Sequence, residues 1–162
     1  MGKSSLINAV IGHVVAPVAK RPGKTQRPKR YEVQAGSALL DLPGYGFADA
    51  PASARDAWRH QVENDFFHAE DLAGVALIVD GRVGATPLDR AMLDVILAEE
   101  KPFIVVAHKA DALSSNQRVA AGKKIRESLG LPAGAPLLFA SSRTGEGVRE
   151  VRRALGELWK AA

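Results

Sequence analysis

Apolar residues recur along this chain in two rhythms, a helical one and a strand-like one, and the two alternate. Leu6, Ile7, Val10 and Ile11 fall at helical spacing and predict a helix over 4–12. Residues 13–29 hold Pro17, Pro22, Gly23 and Pro28 and read as a loop. A short strand is expected at about 30–36, then a compact apolar strand, Ser37-Ala-Leu-Leu-Asp41, which ends on an acid and is broken by Pro43-Gly44. Residues 53–69 place Trp58, Val62 and Phe66 on one side of a helix. Gly74-Val-Ala-Leu-Ile-Val-Asp80 is an uninterrupted apolar run, as a strand buried on both faces requires. Thr86-Pro87 opens a helix as an N-cap and first-turn proline should, with Leu88, Met92, Val95 and Ile96 turned inward. Phe103–Ala107 and Leu137–Ala140 are further buried-type strands, and helices are expected over 115–129 and 147–160.

Strands that alternate with helices and are apolar on both faces predict an α/β fold, a doubly wound and mostly parallel sheet. In such a sheet ligands bind beyond the carboxyl ends of the strands, where the polar residues of this chain collect. The 162 residues suit one domain spanning 1–162, with no internal repeat or low-complexity segment.

Composition narrows the function classes. The absence of cysteine excludes a disulfide framework and a thiolate metal site. No apolar run approaches the roughly 18 residues of a spanning helix, so no membrane role and a cytoplasmic location are expected. His13, His60 and His68 fall at no metal-ligand spacing. The net charge of +4 is modest, but Lys20, Arg21, Lys24, Arg27, Lys29 and Arg30 lie close together without an acid among them. That stretch is a solvated loop or an arm facing the phosphates of a nucleotide or RNA.

The candidate chemistry sits at strand ends and loop starts. Gly2-Lys3-Ser4-Ser5 before a helix matches the end of the phosphate loop Gly-x-x-x-x-Gly-Lys-Ser/Thr. Amides at the helix N-terminus hold phosphate oxygens, Lys3 reaches the β- and γ-phosphates, and the Ser4 hydroxyl binds Mg²⁺. Asp41-Leu42-Pro43-Gly44 follows a strand; Asp41 can hold Mg²⁺ through water, and the Gly44 amide can touch the γ-phosphate. Within Gly23-Lys24-Thr25, Thr25 can ligate Mg²⁺ when a triphosphate is bound. His108-Lys109-Ala110-Asp111 follows another strand. Asp111 can accept from N1 and N2 of guanine, which adenine cannot supply, while the stem of Lys109 lies along the base. Ser141-Ser142-Arg143 follows the last strand, with amides available for guanine O6. Each signal alone has a plain structural reading as a turn, cap or polar loop. Their common order, each placed where the chemistry needs it, points to a GTP site with Mg²⁺.

Gly2–Ala9, Pro22–Gln26, Asp41-Leu-Pro-Gly-Tyr-Gly-Phe-Ala48, Asp80 with Arg82, Asp89 with Met92, and Lys109-Ala-Asp111 together resemble the EngB (YihA/YsxC) family of P-loop GTPases. The resemblance runs over essentially the whole chain. It implies a GTPase acting in assembly of the large ribosomal subunit, with links to division septation. It also implies ribosomal RNA and proteins as partners and a monomeric G domain. Tyr45 stands where many GTPases carry a water-orienting glutamine, so hydrolysis is expected to be slow without a partner. A non-hydrolysing remnant that packs on RNA and a P-loop ATPase or small-molecule kinase are the alternative readings.

The sequence departs from the family at three places. The phosphate loop before Gly2-Lys3-Ser4 is represented only by Met1, where the family carries Val, so an internal start and a G domain lacking its first strand are expected. Such a strand lies centrally, between the Asp41 and Asp80 strands. Five or six buried apolar side chains at about 1.5–3 kcal/mol each would go with it, a loss comparable with a domain's whole net stability of about 5–15 kcal/mol. The chain as it stands is therefore expected to fold poorly or bind nucleotide weakly. His108 replaces the family's usual Thr, the residue that ties the base-reading loop to the phosphate loop. Pro28, Lys29 and Arg30 make the strand after the switch loop unusually basic.

Overall fold

The computed structural model describes residues 2–17, 28–34, 36–42, 67, 69 and 71–161. Helix α1 spans Lys3–Ile11, followed by strands β1 (Lys29–Gln34), β2 (Ser37–Asp41) and β3 (Val75–Asp80). Helix α2 (Pro87–Ala98), β4 (Phe103–His108), a 3₁₀ turn (Ala110–Ala112), α3 (Ser115–Leu129), β5 (Leu137–Ala140) and α4 (Val148–Ala161) complete the chain. Of the helix expected over 53–69, only Phe67 and Ala69 are described, and Phe67 is buried in the core.

Among the described residues the strands form two sheets. β1 and β2 pair antiparallel, with a bulge between Glu32 and Gln34. β3, β4 and β5 pair parallel in that order. β4 is the middle strand and shows why its sequence is uniformly apolar. Val105 and Ala107 point into one core with Leu77, Val79, Leu93, Ile96, Ile125 and Leu129. Ile104 and Val106 point into the other, with Leu6, Val10, Ala140, Val148, Val151 and Leu155. The period of two along the strand therefore feeds two hydrophobic layers, α2 and α3 on one face and α1 and α4 on the other. Leu39 and Leu42, from β2 and just beyond it, pack against opposite layers.

The helix boundaries follow local chemistry. Thr86 caps α2: its hydroxyl accepts from the Asp89 amide, and Asp89 reaches back to the Thr86 amide at 2.7 Å. The same reciprocal box joins Ser114 and Gln117 at the start of α3. The inward stripe of α2 agrees with the expected one at Val95 and Ile96, and Met92 packs against the same core, but Asp89 and Leu93 join it. Asp89, Leu93, Val95 and Ile96 are buried, whereas Leu88 and Met92 are half-buried. Asp89, held in the capping box, lies on the same face as Leu93 and Ile96, which follow it at helical spacing. At the start of α4 a Cβ on Gly147 (φ +69°) would lie 1.9 Å from the Phe139 carbonyl oxygen, so only glycine lets this helix close on β5.

Candidate nucleotide site

The three parallel strands end level. Asp80, His108 and Ala140 are register partners across β3, β4 and β5, and Gly81, Lys109 and Ser141 are the next residues along. The polar residues singled out in the sequence are thus delivered to one edge of the sheet, where an open α/β sheet binds its ligands.

One half of the site lies at the N-terminus of α1. Gly2 is its N-cap in the left-handed region (φ +88°, ψ 16°), and its carbonyl accepts the Leu6 amide at 3.0 Å. Lys3 Nζ donates to the Leu42 carbonyl and stands 2.5 Å from Asp41 Oδ1. Asp41 is buried (side chain 1% exposed), and its Oδ1 takes no hydrogen bond from the described residues, meeting Lys3 as a charge partner instead. Ser4 and Ser5 follow in the first turn of α1, both half-buried.

The other half lies beyond β4 and β5. Asp111 Oδ1 accepts the Ser141 hydroxyl, and Oδ2 accepts Arg143 Nε at 2.7 Å. These two contacts, the Ser141 bond first, hold the Asp111 carboxyl below the usual carboxylate range. The Ser141 hydroxyl also accepts from the Arg143 and Thr144 amides at 3.2 and 3.3 Å, so one side chain shapes the turn. The Ser141 amide is closed by the Glu146 carbonyl at 2.8 Å. The Ser142 amide donates to His108 Nε2 at 3.3 Å, a long contact. Lys109, in the left-handed region (φ 67°), sends its ammonium to Asp80 Oδ2 at 2.6 Å. Arg82 grips both oxygens of the same carboxylate. Burial pushes the Asp80 carboxyl up, but Arg82 and Lys109 outweigh it and leave the acid well below its ordinary value.

His108 joins the halves. It is buried, its Nε2 lies 3.1 Å from the Ser142 hydroxyl, and its ring lies against Gly2. A Cβ on Gly2 would be 2.8 Å from His108 Cε1.

A family model described as 50S ribosome-binding GTPase matches residues 1–109. The chain is 39% identical over 157 residues to the probable GTP-binding protein EngB of Pelotomaculum thermopropionicum, covering 96% of this chain and 79% of that one. It is 34% identical over 165 residues to the probable GTP-binding protein EngB of Neisseria gonorrhoeae, covering 99% and 79%. The chain belongs to the EngB family. The crystal structure of a probable GTP-binding protein engB superposes with a TM-score of 0.80 at 21% identity, covering 99% of this chain and 94% of that one. The fold is therefore the α/β fold of a P-loop GTPase, and membership of EngB makes this a GTP-binding protein of a GTPase family.

Within this EngB fold the sequence-predicted residues divide into two groups. Gly2, Lys3, Ser4, Ser5, Asp41, Leu42, His108, Lys109, Asp111, Ser141, Ser142 and Arg143 are described and gather at the strand ends. Gly23, Lys24, Thr25, Pro43, Gly44 and Tyr45 lie outside the described residues, as do Lys20, Arg21 and Arg27 of the basic stretch. Asp80, Arg118 and Asn8 are among the polar residues that had no role assigned from sequence. Asp80 anchors Lys109. Arg118 joins Glu146 to the 3₁₀ turn, its Nη2 donating to Glu146 Oε2 at 2.8 Å and to the Ala110 carbonyl at 3.0 Å. Asn8 holds the start of the long loop, accepting the Val15 and Ala16 amides at 3.0 and 2.8 Å. Only Asp80 carries a local signal, an acid ending a buried strand; the other two depend on partners far along the chain or beyond a turn.

The oxygen chemistry suits Mg²⁺. The buried Asp41 carboxylate, whose Oδ1 meets Lys3 as a charge partner and takes no hydrogen bond among the described residues, and the serine hydroxyls of the first turn of α1 are hard oxygen donors of the kind that Mg²⁺ takes together with phosphates and water. Asp41 would hold such an ion through water and Ser4 directly, and the ion would neutralise phosphate charge.

Proposed function

We propose that this chain binds GTP and GDP with Mg²⁺ and hydrolyses GTP slowly by itself, as a monomeric cytoplasmic factor in assembly of the large ribosomal subunit. The observation that carries the guanine reading is Asp111. Its carboxylate sits beside the Ser141–Arg143 turn, beyond strands that end level with Asp80 and His108. Guanine offers it two adjacent donors. Adenine offers none there and would leave a carboxylate without its partners. That difference favours GTP over an ATPase or small-molecule kinase reading.

At the other end, Lys3 and Asp41 neutralise each other. Entry of phosphates with Mg²⁺ gives each a stronger partner: Lys3 turns to the β- and γ-oxygens and Asp41 to the ion's water shell. Thr25 and Gly44 complete the γ-phosphate contacts and switch with hydrolysis. Tyr45 does not orient an attacking water as glutamine does, which makes turnover depend on a partner. The basic residues around Thr25 and the ribosome-binding description of the matched family support ribosomal RNA and protein as that partner. A link to division septation rests on the same family likeness.

Titration with fluorescent GDP and, separately, ADP in Mg²⁺ tests the base reading. Binding of GDP but not ADP is expected, and equal binding of both would overturn it. Co-sedimentation with large-subunit particles, comparing GDP with a non-hydrolysable GTP analogue, tests the partner. Greater recovery with the analogue is expected, and no recovery in either state would remove the ribosomal role.

A further inference from the structure

The guanine-reading carboxylate is already occupied by a group that resembles guanine. Arg143 Nε donates to Asp111 Oδ2 at 2.7 Å, while Ser141 fills Oδ1. A guanidinium carries planar N–H donors in a fixed fork, the same chemistry as the N1 and N2 edge of the base. The two partners differ in exposure. The Asp111 side chain is 14% exposed, whereas that of Arg143 is 76% exposed. Ser141 is fixed by its own bonds to the turn and can stay, since a carboxylate oxygen accepts more than one hydrogen bond.

We propose that Arg143 is a displaceable surrogate for guanine, seated on Asp111 in the nucleotide-free chain and expelled by the entering base. The proposal rests on the guanine reading of Asp111. Its consequence concerns access. The seat is kept ionised and aimed before nucleotide arrives, and a ligand gains the carboxylate only by offering donors that outcompete Arg143. A base with adjacent N–H donors does so; one without them leaves Arg143 in place, where it blocks the edge.

The test is stopped-flow uptake of fluorescent GDP, with Mg²⁺, by the unaltered chain and by Arg143→Gln, at low and at high salt. An exposed ion pair is weak, so the expected effect is modest: R143Q takes up GDP about two- to fivefold faster at low salt. Screening weakens the pair in the unaltered chain, so the advantage shrinks at about 0.5 M salt. Uptake that is unchanged or slower in R143Q, or an advantage undiminished in high salt, overturns the proposal and leaves the guanine reading standing. Equal affinity of the unaltered chain for GDP and ADP overturns the guanine reading and this proposal with it; no binding of either overturns this proposal, because the chain then takes up no base to which Arg143 could yield.

Discussion

Lys109 does not point freely into the site: its ammonium lies 2.6 Å from Asp80 Oδ2, on a carboxylate that Arg82 also grips. The lysine that would lie along the base is thus tethered to the end of a neighbouring strand, 29 residues earlier. That pair sets the direction of its stem.

Removing that tether has a pH signature. The Asp80 carboxyl is held below its ordinary value in the folded chain, so its stabilisation is complete above the usual carboxylate range and is lost as pH falls through the folded value. Melting temperature is expected to change little from pH 7 to about 5 through this group and to fall below about pH 4. Asp80→Asn should lower it by about 2–4 °C at pH 7, the shift of about 1 kcal/mol in a domain of this size, and flatten the acid limb. Thermal melts across pH check both.

Gly2 meets two constraints at once, a positive φ and a histidine ring where a Cβ would stand. Gly2→Ala should destabilise the chain by about 1–3 kcal/mol and weaken GDP binding. Urea unfolding and GDP titration report the two effects. A neutral outcome in both would mean that the helix start adjusts easily.

His108 touches both Gly2 at the start of α1 and Ser142 beyond β5, the two ends proposed to hold phosphate and base. His108→Ala removes the partner of the Ser142 amide and opens space beside Gly2, at a cost of about 1–3 kcal/mol if the group is left unsatisfied. GDP release should quicken by about tenfold or more, since 1.4 kcal/mol is a factor of ten. His108→Asn, which keeps a polar side chain, should recover part of the loss. The dissociation rate of fluorescent GDP chased with unlabelled GDP measures it.

Leu93 is fully buried between α2 and the sheet. Leu93→Ala should cost about 2–5 kcal/mol in urea unfolding while leaving the selectivity for GDP over ADP unchanged in whatever chain remains folded.

Much of this was legible in the sequence because it is local. The strands 37–41 and 137–140 and the helix 115–129 occur where the apolar runs and cap residues place them. The motif residues stand at strand ends because the apolar runs stop there on Asp, His or Ser, polar groups that remain buried and take partners within the fold. What was not legible is what those residues hold. Asp111 paired with Arg143, Lys3 with Asp41 and Arg118 with Glu146 are meetings of 32, 38 and 28 residues' separation, as the numbering of each pair shows. Such pairs are set by register and by the path of the chain, and a one-dimensional pattern carries neither. Leu93 was missed for a different reason: it shares a face with Asp89, a charged residue whose burial in the capping box the apolar pattern does not show.

The level finish of β3, β4 and β5 has a mechanical meaning. Strands in a sheet sit about 4.8 Å apart, so the spacing from the Asp80 end to the Ser141 end is two such steps, set by backbone hydrogen bonds and not by side chains. Extra residues in the connections on the helical side can be absorbed without moving any contact of the site. A single residue inserted within Phe103–His108 cannot, because it would turn every later side chain of that strand to the opposite face and carry His108 away from both of its neighbours. Drift in this protein is therefore free in its connections and quantised in its strands, and the middle strand is the part that has to be inherited whole.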